Sequence, residues 1–211
     1  KRQEQIRRDH AHLLEMIARG HSLHSILDAI VRTVEGHLDH VTGSILLFDP
    51  DEQKLRHGAA PNLPESYANL IDGVRIGEGV GSCGTAAFRR QPVYVSDTYQ
   101  DPLWKDFVSL AMLHGLRSCW STPIISLADT LLGTFALYSA TVREPTEFDR
   151  EVIDMATNLA GIAIDRSRAH DQAQFMAHHD PLTGLYNRNI FWPQFTHAIE
   201  EAKRDKRLVA I

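Results

Sequence analysis

The spacing of apolar positions changes along the chain, and each change marks an element. Over residues 1–18, Ile6, His10, Leu13 and Ile17 recur at four-three-four spacing in a charged background, which predicts a helix with one apolar face. After the break at Gly20, Ser22 stands where it can cap a second helix. There Leu23, Ile26, Leu27, Ile30, Val31 and Val34 keep helical period until about Gly36. The pattern then shortens. The apolar run 43–48, the turn residues Asp49-Pro50-Asp51-Glu52 and the segment 53–58 predict a β-hairpin. Residues 64–71 and 85–90 read as short helices, 92–96 as a strand, and 97–116 as a loop segment with a helix of its own. The runs 117–126 and 131–140 predict an antiparallel pair.

From Glu147 onward the helical period returns and lengthens. Phe148, Val152, Met155, Leu159, Ile162, Arg166, Ala169, Ala173 and Met176 keep four-three spacing, the signature of a long helix with a coiled-coil seam. Up to Ile162 the same spacing also suits a helix packed on its own sheet. Beyond Arg166 the seam is too weak for a core. The expected dimer seam is therefore Phe148, Val152, Met155, Leu159 and Ile162, with the first helix alongside. Together the elements predict an α/β architecture of the α+β kind, a central antiparallel sheet of about five or six strands flanked by helices.

Composition narrows the partners. A formal charge of −5 with no Lys/Arg-dense face disfavours nucleic acid, because neutralising phosphates needs clustered cations. No apolar run is long enough for a membrane span and no apolar leader is present, so membrane contact is not expected. The two cysteines, Cys83 and Cys119, lack metal-ligand spacing and fit a reducing cytoplasm, with a disulfide between them left open. None of the twelve histidines forms an HxxxH pair on an apolar helix face. His57 and His114 read as solvated or hydrogen-bonded side chains, and no metal site is expected.

The string Gly79-Val80-Gly81-Ser82-Cys83-Gly84 matches GxGxxG, with Asp97 near the place of a ribose-binding acid. The helix after it has room for only about six residues before Gln91-Pro92, whereas a crossover between parallel strands needs about ten to twelve. A backbone turn is the better reading. No Lys or His adjoins Cys83, which favours a small buried hydrophobe over a nucleophile. In the strand around Cys119, alternation sends Cys119 and Ser121 to one face and Ser118, Trp120 and Thr122 to the other, one face toward helices and one toward a pocket.

The succession GEGVGSCGTA, QPVYVSD, DPLW, GLRSCWSTPI and LLGTFALY, then a helix opening with ExxF, resembles GAF domains of bacterial cyclic di-GMP signalling proteins, over about residues 20–165. The run from Asp180 to Arg188, with Leu182, Thr183, Gly184, Leu185 and Asn187, is similar to the opening motif of GGDEF (diguanylate cyclase) domains. The resemblance implies a GAF fold between long N- and C-terminal signalling helices: residues 1–19 a leading helix, 20–165 the sensor, 166–178 a linker helix and 179–211 a truncated GGDEF start with a first strand at Leu208. It also implies that the full protein makes cyclic di-GMP from two GTP on Mg²⁺ across a homodimer. No GG[DE]EF turn occurs in these 211 residues, so the fragment itself is expected to be non-catalytic.

A second resemblance, to the GAF-fold free methionine sulfoxide reductases, matches Cys83 to that family's GxCG cysteine. It places Cys119, Ala136 and Tyr138 where that family has its substrate carboxylates, and that family's nucleophilic cysteine is missing before Arg117. If the fold is shared, Cys83, Cys119, Ser121, Ala136 and Tyr138 face a ligand cavity, with Trp104 and Phe107 in the segment that covers it. Trp120, on the opposite strand face, reads as core. The ligand stays open among cyclic nucleotide, haem, metabolite, thiol redox or none, the last making the domain a dimerisation scaffold.

Overall fold

A computed structural model describes residues 2–205, and the chain divides into two compact units at Asp165/Arg166. The first unit opens with α1 (Arg2–Ala18) and α2 (Leu23–His37), the latter capped by Ser22, whose hydroxyl accepts from the Ser25 amide. There follow β1 (Val41–Asp49), β2 (Lys54–Ala59), α3 (Glu65–Ile71), β3 (Val74–Arg75), α4 (Gly81–Arg89) and β4 (Val93–Val95). A 3₁₀ turn (Pro102–Trp104), α5 (Val108–Leu113), β5 (Ser118–Ile125) and β6 (Leu131–Ser139) lead to α6 (Glu147–His178).

All six strands form one antiparallel sheet in the order β3-β2-β1-β6-β5-β4. This is the mixed α/β GAF arrangement expected, and its antiparallel pairing excludes a dinucleotide-binding parallel sheet. The sequence pattern missed only β3, two residues long and paired with Lys54 and Leu55. It also placed α4 too late: the helix begins at Gly81, inside the glycine-rich string. Gly79 and Gly81 take positive φ (76° and 56°), a backbone that turns the chain into the helix and that a Cβ would strain.

The central strand β6 is buried along its whole length, so each of its faces needs a covering layer. On one face Phe135 and Leu137, with Ile45, Trp120 and Ile124, pack against the apolar stripes of α1, α2 and α6. On the other, Ala136 and Tyr138 with Cys119 and Val95 pack against residues from α3 to α5. A Cβ at Gly133 would lie 2.1 Å from the Leu46 carbonyl oxygen, so glycine is what lets β1 and β6 close there.

The start of α6 is clamped to the sheet. Thr146 and Asp149 form a reciprocal capping box, the Asp149 carboxylate accepting from the Thr146 amide (2.8 Å) and the Thr146 hydroxyl accepting from the Asp149 amide (3.2 Å). Asp149 also accepts from Arg143 (2.8 Å), whose guanidinium lies over Trp120 and whose carbonyl receives the Trp120 indole N–H. Trp120 is core, as its strand face required.

The heptad positions of α6 divide between two duties. Val152 and Leu159 are spent on the domain's own core, at 0% and 1% exposure, and Phe148 and Met155 pack partly against it. Ile162 is 47% exposed. A seam drawn through all five is therefore corrected: Val152 and Leu159 face the sheet, because a helix laid on a sheet turns one continuous stripe inward.

The second unit holds the rest of α6, a tight turn and α7 (Arg188–Asp205). Asp180 organises the turn, one carboxylate oxygen accepting from the amides of Leu182 and Thr183 and from the Thr183 hydroxyl. Gly184 supplies a positive φ of 71°, and the Leu185 amide donates to the Thr183 hydroxyl (3.4 Å). The Asn187 amide group donates to the Ala177 carbonyl and so ties the start of α7 to the end of α6. Leu182, Leu185 and Arg188 are exposed. The strand expected from Leu208 lies outside the described residues.

The two roles within α6 are separable by substitution. Leu159→Glu places an unpaired carboxylate in the core and is expected to cost about 3–5 kcal/mol, whereas Ile162→Glu should stay within about 0.5 kcal/mol. Urea unfolding of the two variants followed by far-UV circular dichroism measures both.

Candidate functional site

The cavity lies between the α3–α5 side of the sheet and the segment between β4 and β5 that covers it. That segment is fastened at its neck. Thr98 donates its amide to the Arg117 carbonyl (2.9 Å) and its hydroxyl to the Leu116 carbonyl (2.6 Å), while Arg117 pairs with Asp97 (2.8 Å) and lies over the Tyr99 ring. Between these ties the chain carries Trp104, Phe107 and Leu110 over the cavity. Trp104 is held by its indole N–H, which donates to the Ser82 hydroxyl (2.9 Å); Ser82 in turn donates to the Cys119 carbonyl (3.1 Å). One serine thus links cover, α4 and β5.

The other walls are Leu46 from β1, Tyr67 and Ile71 from α3, Val74, Val80 to Cys83 at the start of α4, and Tyr138 from β6. The cavity volume is about 30 Å³, enough for one or two waters. No Asp, Glu, Lys, Arg or His side chain lines it.

Of the seven residues expected here, Cys83, Trp104, Phe107 and Tyr138 line the cavity. Cys119, Ser121 and Ala136 share the strand face beneath and are fully buried there. Three further participants were not anticipated. Tyr67 packs edge-on to both Tyr138 (5.4 Å between ring centres) and His114 (5.3 Å). Ser44 hydrogen-bonds the Tyr138 hydroxyl at 3.2 Å, and Ser82 bridges as described. Alternation from Ala136 and Tyr138 would have reached Thr134 on the same face; nothing in residues 64–71 marks Tyr67 as a wall.

The polar chemistry converges on one sulfur. Cys83 is half-buried, and its thiol meets the Tyr138 hydroxyl at 3.8 Å. Its pKa is lowered to about 7, first by a hydrogen bond from Cys119, against the opposing effect of burial, and then by Ser121, Tyr138 and Thr134. Ser121 and Thr134 are buried hydroxyls with no hydrogen-bond partner, so both are available to the sulfur when it carries charge. Burial pushes the Cys119 thiol well up, and it stays protonated as a donor; burial likewise raises Tyr67 and Tyr138. Cys83 packs against the hydrophobic clusters on this side of the sheet, as a small buried residue would; no Lys or His is adjacent, and the donors that lower its pKa come from two strands. Among the described residues no cluster of His, Cys, Asp or Glu could hold a metal ion.

Residues 20–165 match the family model of the GAF domain. The chain is 34% identical over 159 residues to a methyl sulfide methyltransferase-associated sensor of Methanosarcina acetivorans, covering 75% of this chain but only 16% of that relative's length. Among solved structures it resembles the GAF domain of a phosphoenolpyruvate-protein phosphotransferase from Coxiella burnetii, at TM-score 0.63 and 18% identity over 81% of this chain and 99% of that one. It also resembles free methionine-R-sulfoxide reductase from Neisseria meningitidis in complex with its substrate, at TM-score 0.56 and 20% identity over 79% and 90%. At such identities these two structures establish the fold alone.

The depressed Cys83 pKa has a checkable sign. A thiol whose folded pKa lies below its unfolded value adds stability that is full above the unfolded pKa and is lost as pH falls through the folded one. Alkylation of Cys83 by iodoacetamide should thus rise with a midpoint near pH 7. The stability advantage over Cys83→Ser should grow from about pH 7 to about pH 9. A midpoint in the ordinary thiol range would contradict the hydrogen-bond assignment.

Proposed function

The chain belongs to the GAF domain family, and from that premise we propose that it is the sensing module of a signalling protein, with the cavity under Trp104 and Phe107 as its receptor site. The observation that carries this reading is a small, partly open cavity on one face of the sheet, walled by Tyr67, Trp104, Phe107 and Tyr138 and lined by no Asp, Glu, Lys, Arg or His side chain. A metabolite that takes more room than the cavity of about 30 Å³ offers displaces the covering segment as it binds, which couples occupancy to cover position. The neck ties at Thr98 and Arg117 confine that movement to the middle of the segment, where Met112 and Leu113 already stand exposed. Because β5 and β6 face the cavity with alternate residues and the terminal helices with the others, a displacement on one side is felt on the other.

The lining favours an uncharged, largely apolar molecule with one hydrogen-bonding group for Tyr138 or Cys83. An anionic cyclic nucleotide would lie against a wall with no cation, and an amino acid would find no carboxylate for its ammonium, which is the physical objection to a methionine sulfoxide reductase activity. Thermal unfolding in the presence of uncharged aromatic and heteroaromatic probes such as indole tests this. A probe at 100 times its Kd should add about 2.7 kcal/mol, or roughly 5–10 °C in Tm for a chain of this size. Trp104→Ala should lose most of that shift. Stabilisation by cyclic nucleotides and by none of the neutral probes would refute the assignment.

The output we propose is control of a cyclase. The turn from Asp180 to Arg188 supports a GGDEF start, because its motif residues are those that cap and close the turn between α6 and α7. A full protein extending beyond these 211 residues would then join two GTP on Mg²⁺ across a homodimer. Among the described residues of α1 and α6, Leu14, Ile162, Phe175 and Met176 are exposed large apolar side chains; Leu14 and Ile162, both in the first unit, are the positions proposed to meet a second copy. Ile162→Glu, which spares the fold, should convert the dimer to monomer in analytical ultracentrifugation and lower cyclic di-GMP production by the full protein at least tenfold. A monomeric unmutated chain at micromolar concentration would remove the dimer from this scheme.

A further inference from the structure

We propose that Cys83 is an oxidative modification site for hydrogen peroxide or a similarly small hydroperoxide, and that Cys119 resolves the product into an intrachain disulfide joining α4 to β5. The proposal rests on the reading of this cavity as the sensing site and assigns it a second, covalent input.

Three independent features converge there. The chain's two cysteines stand on facing elements, with Cys83 packed against the cluster that contains Cys119. The Ser82 hydroxyl reaches the Cys119 carbonyl at 3.1 Å, which brings the first turn of α4 directly onto the β5 backbone. Second, the fully buried hydroxyls of Ser121 and Thr134 have no hydrogen-bond partner. Unpaired buried donors cost stability, and a charged sulfur beside them gives them an acceptor. The site is thus built for the thiolate, in keeping with the lowered pKa. Third, the cavity of about 30 Å³ opens onto Cys83. It has room for a molecule of two oxygen atoms beside the sulfur.

The two thiols divide the work by burial. Cys83 is half-buried and reaches the cavity; Cys119 is fully buried and stays protonated. The Cys83 thiolate attacks one peroxide oxygen, the O–O bond breaks, and the departing hydroxide takes a proton as water, leaving a sulfenic acid on Cys83. Cys119 sulfur then attacks the sulfenyl sulfur, the S–O bond breaks, and hydroxide leaves with the Cys119 proton as a second water. Two thiols lose two electrons in total, and one peroxide is reduced to two waters. The bond so formed would pin the start of α4, and through Ser82 the Trp104 indole, to the strand floor.

The test is intact mass and peptide mapping of the 211-residue chain after brief exposure to about a tenfold excess of hydrogen peroxide. The unmutated chain should lose about 2 Da, with a single Cys83–Cys119 cross-link that a dithiol reverses. Cys119→Ser should instead gain about 16 Da at Cys83, trapped by a cyclic 1,3-diketone. Cys83→Ser should remain at its starting mass under the same exposure. An unmutated chain that keeps both thiols, a cross-link between two copies, or a Cys83→Ser variant that oxidises as fast as the parent each overturns the proposal. Because mass reports oxidation whether or not any neutral probe binds, failure here and failure of the ligand reading are separate outcomes.

Discussion

A sheet whose central strand is buried on both faces is the constraint from which the other features follow. β6 exposes nothing, and its partner β5 almost nothing, so each strand contributes alternate side chains to two chemically different layers. Toward α1, α2 and α6 it contributes Trp120, Phe135 and Leu137, which fill space as hydrocarbon and ring. Toward the cavity it contributes Cys119, Ser121, Thr134, Ala136 and Tyr138, smaller or polar groups that leave room and carry donors. The period of two in an extended strand makes these layers inseparable, since shifting the register by one residue would exchange them.

That alternation explains how a cavity and a set of terminal helices can share one mechanical element. Arg143 is the fastening on the helix side: it stacks on Trp120, pairs with Asp149 in the capping box of α6, and reaches the Asp39 carbonyl before β1. On the cavity side Ser82 has the matching role, joining Trp104 of the cover to the backbone of Cys119. The two fastenings sit on neighbouring residues of one strand, Cys119 and Trp120. A shift of β5 therefore loads both.

The cavity floor shows how a polar cluster can be kept inside an apolar layer. Ser121 and Thr134 would be costly as isolated hydroxyls, and Cys83 would resist ionisation as an isolated buried thiol. Placed together, the donors lower the cost of charge on sulfur, and a charged sulfur would give the unpartnered hydroxyls an acceptor. Tyr138 joins the same group, and its hydroxyl meets both Ser44 on β1 and the Cys83 thiol on α4, so two strands and one helix meet at that oxygen.

Much of this architecture was legible in the residues themselves. The helical stripes of α1 and α2, the β1–β2 hairpin, the β5–β6 pair and the two faces of β5 all followed from period and turn chemistry, because those are local properties of the backbone. The sequence also placed Trp104 and Phe107 over a cavity and Tyr138 in its wall, through resemblance to a known arrangement. Three matters were decided only by tertiary packing. Whether Leu159 and Ile162 share a duty depends on which side of α6 the sheet occupies, and heptad spacing alone is the same for a seam and a core stripe. Tyr67 became a wall because α3 folds back over the sheet, a contact no local pattern encodes. The lowered pKa of Cys83 was not legible because the groups that cause it, Cys119, Ser121, Tyr138 and Thr134, lie 36 to 55 positions away in the chain. A pKa is set by what surrounds an atom in space, and the sequence names the neighbours of a residue only along the chain.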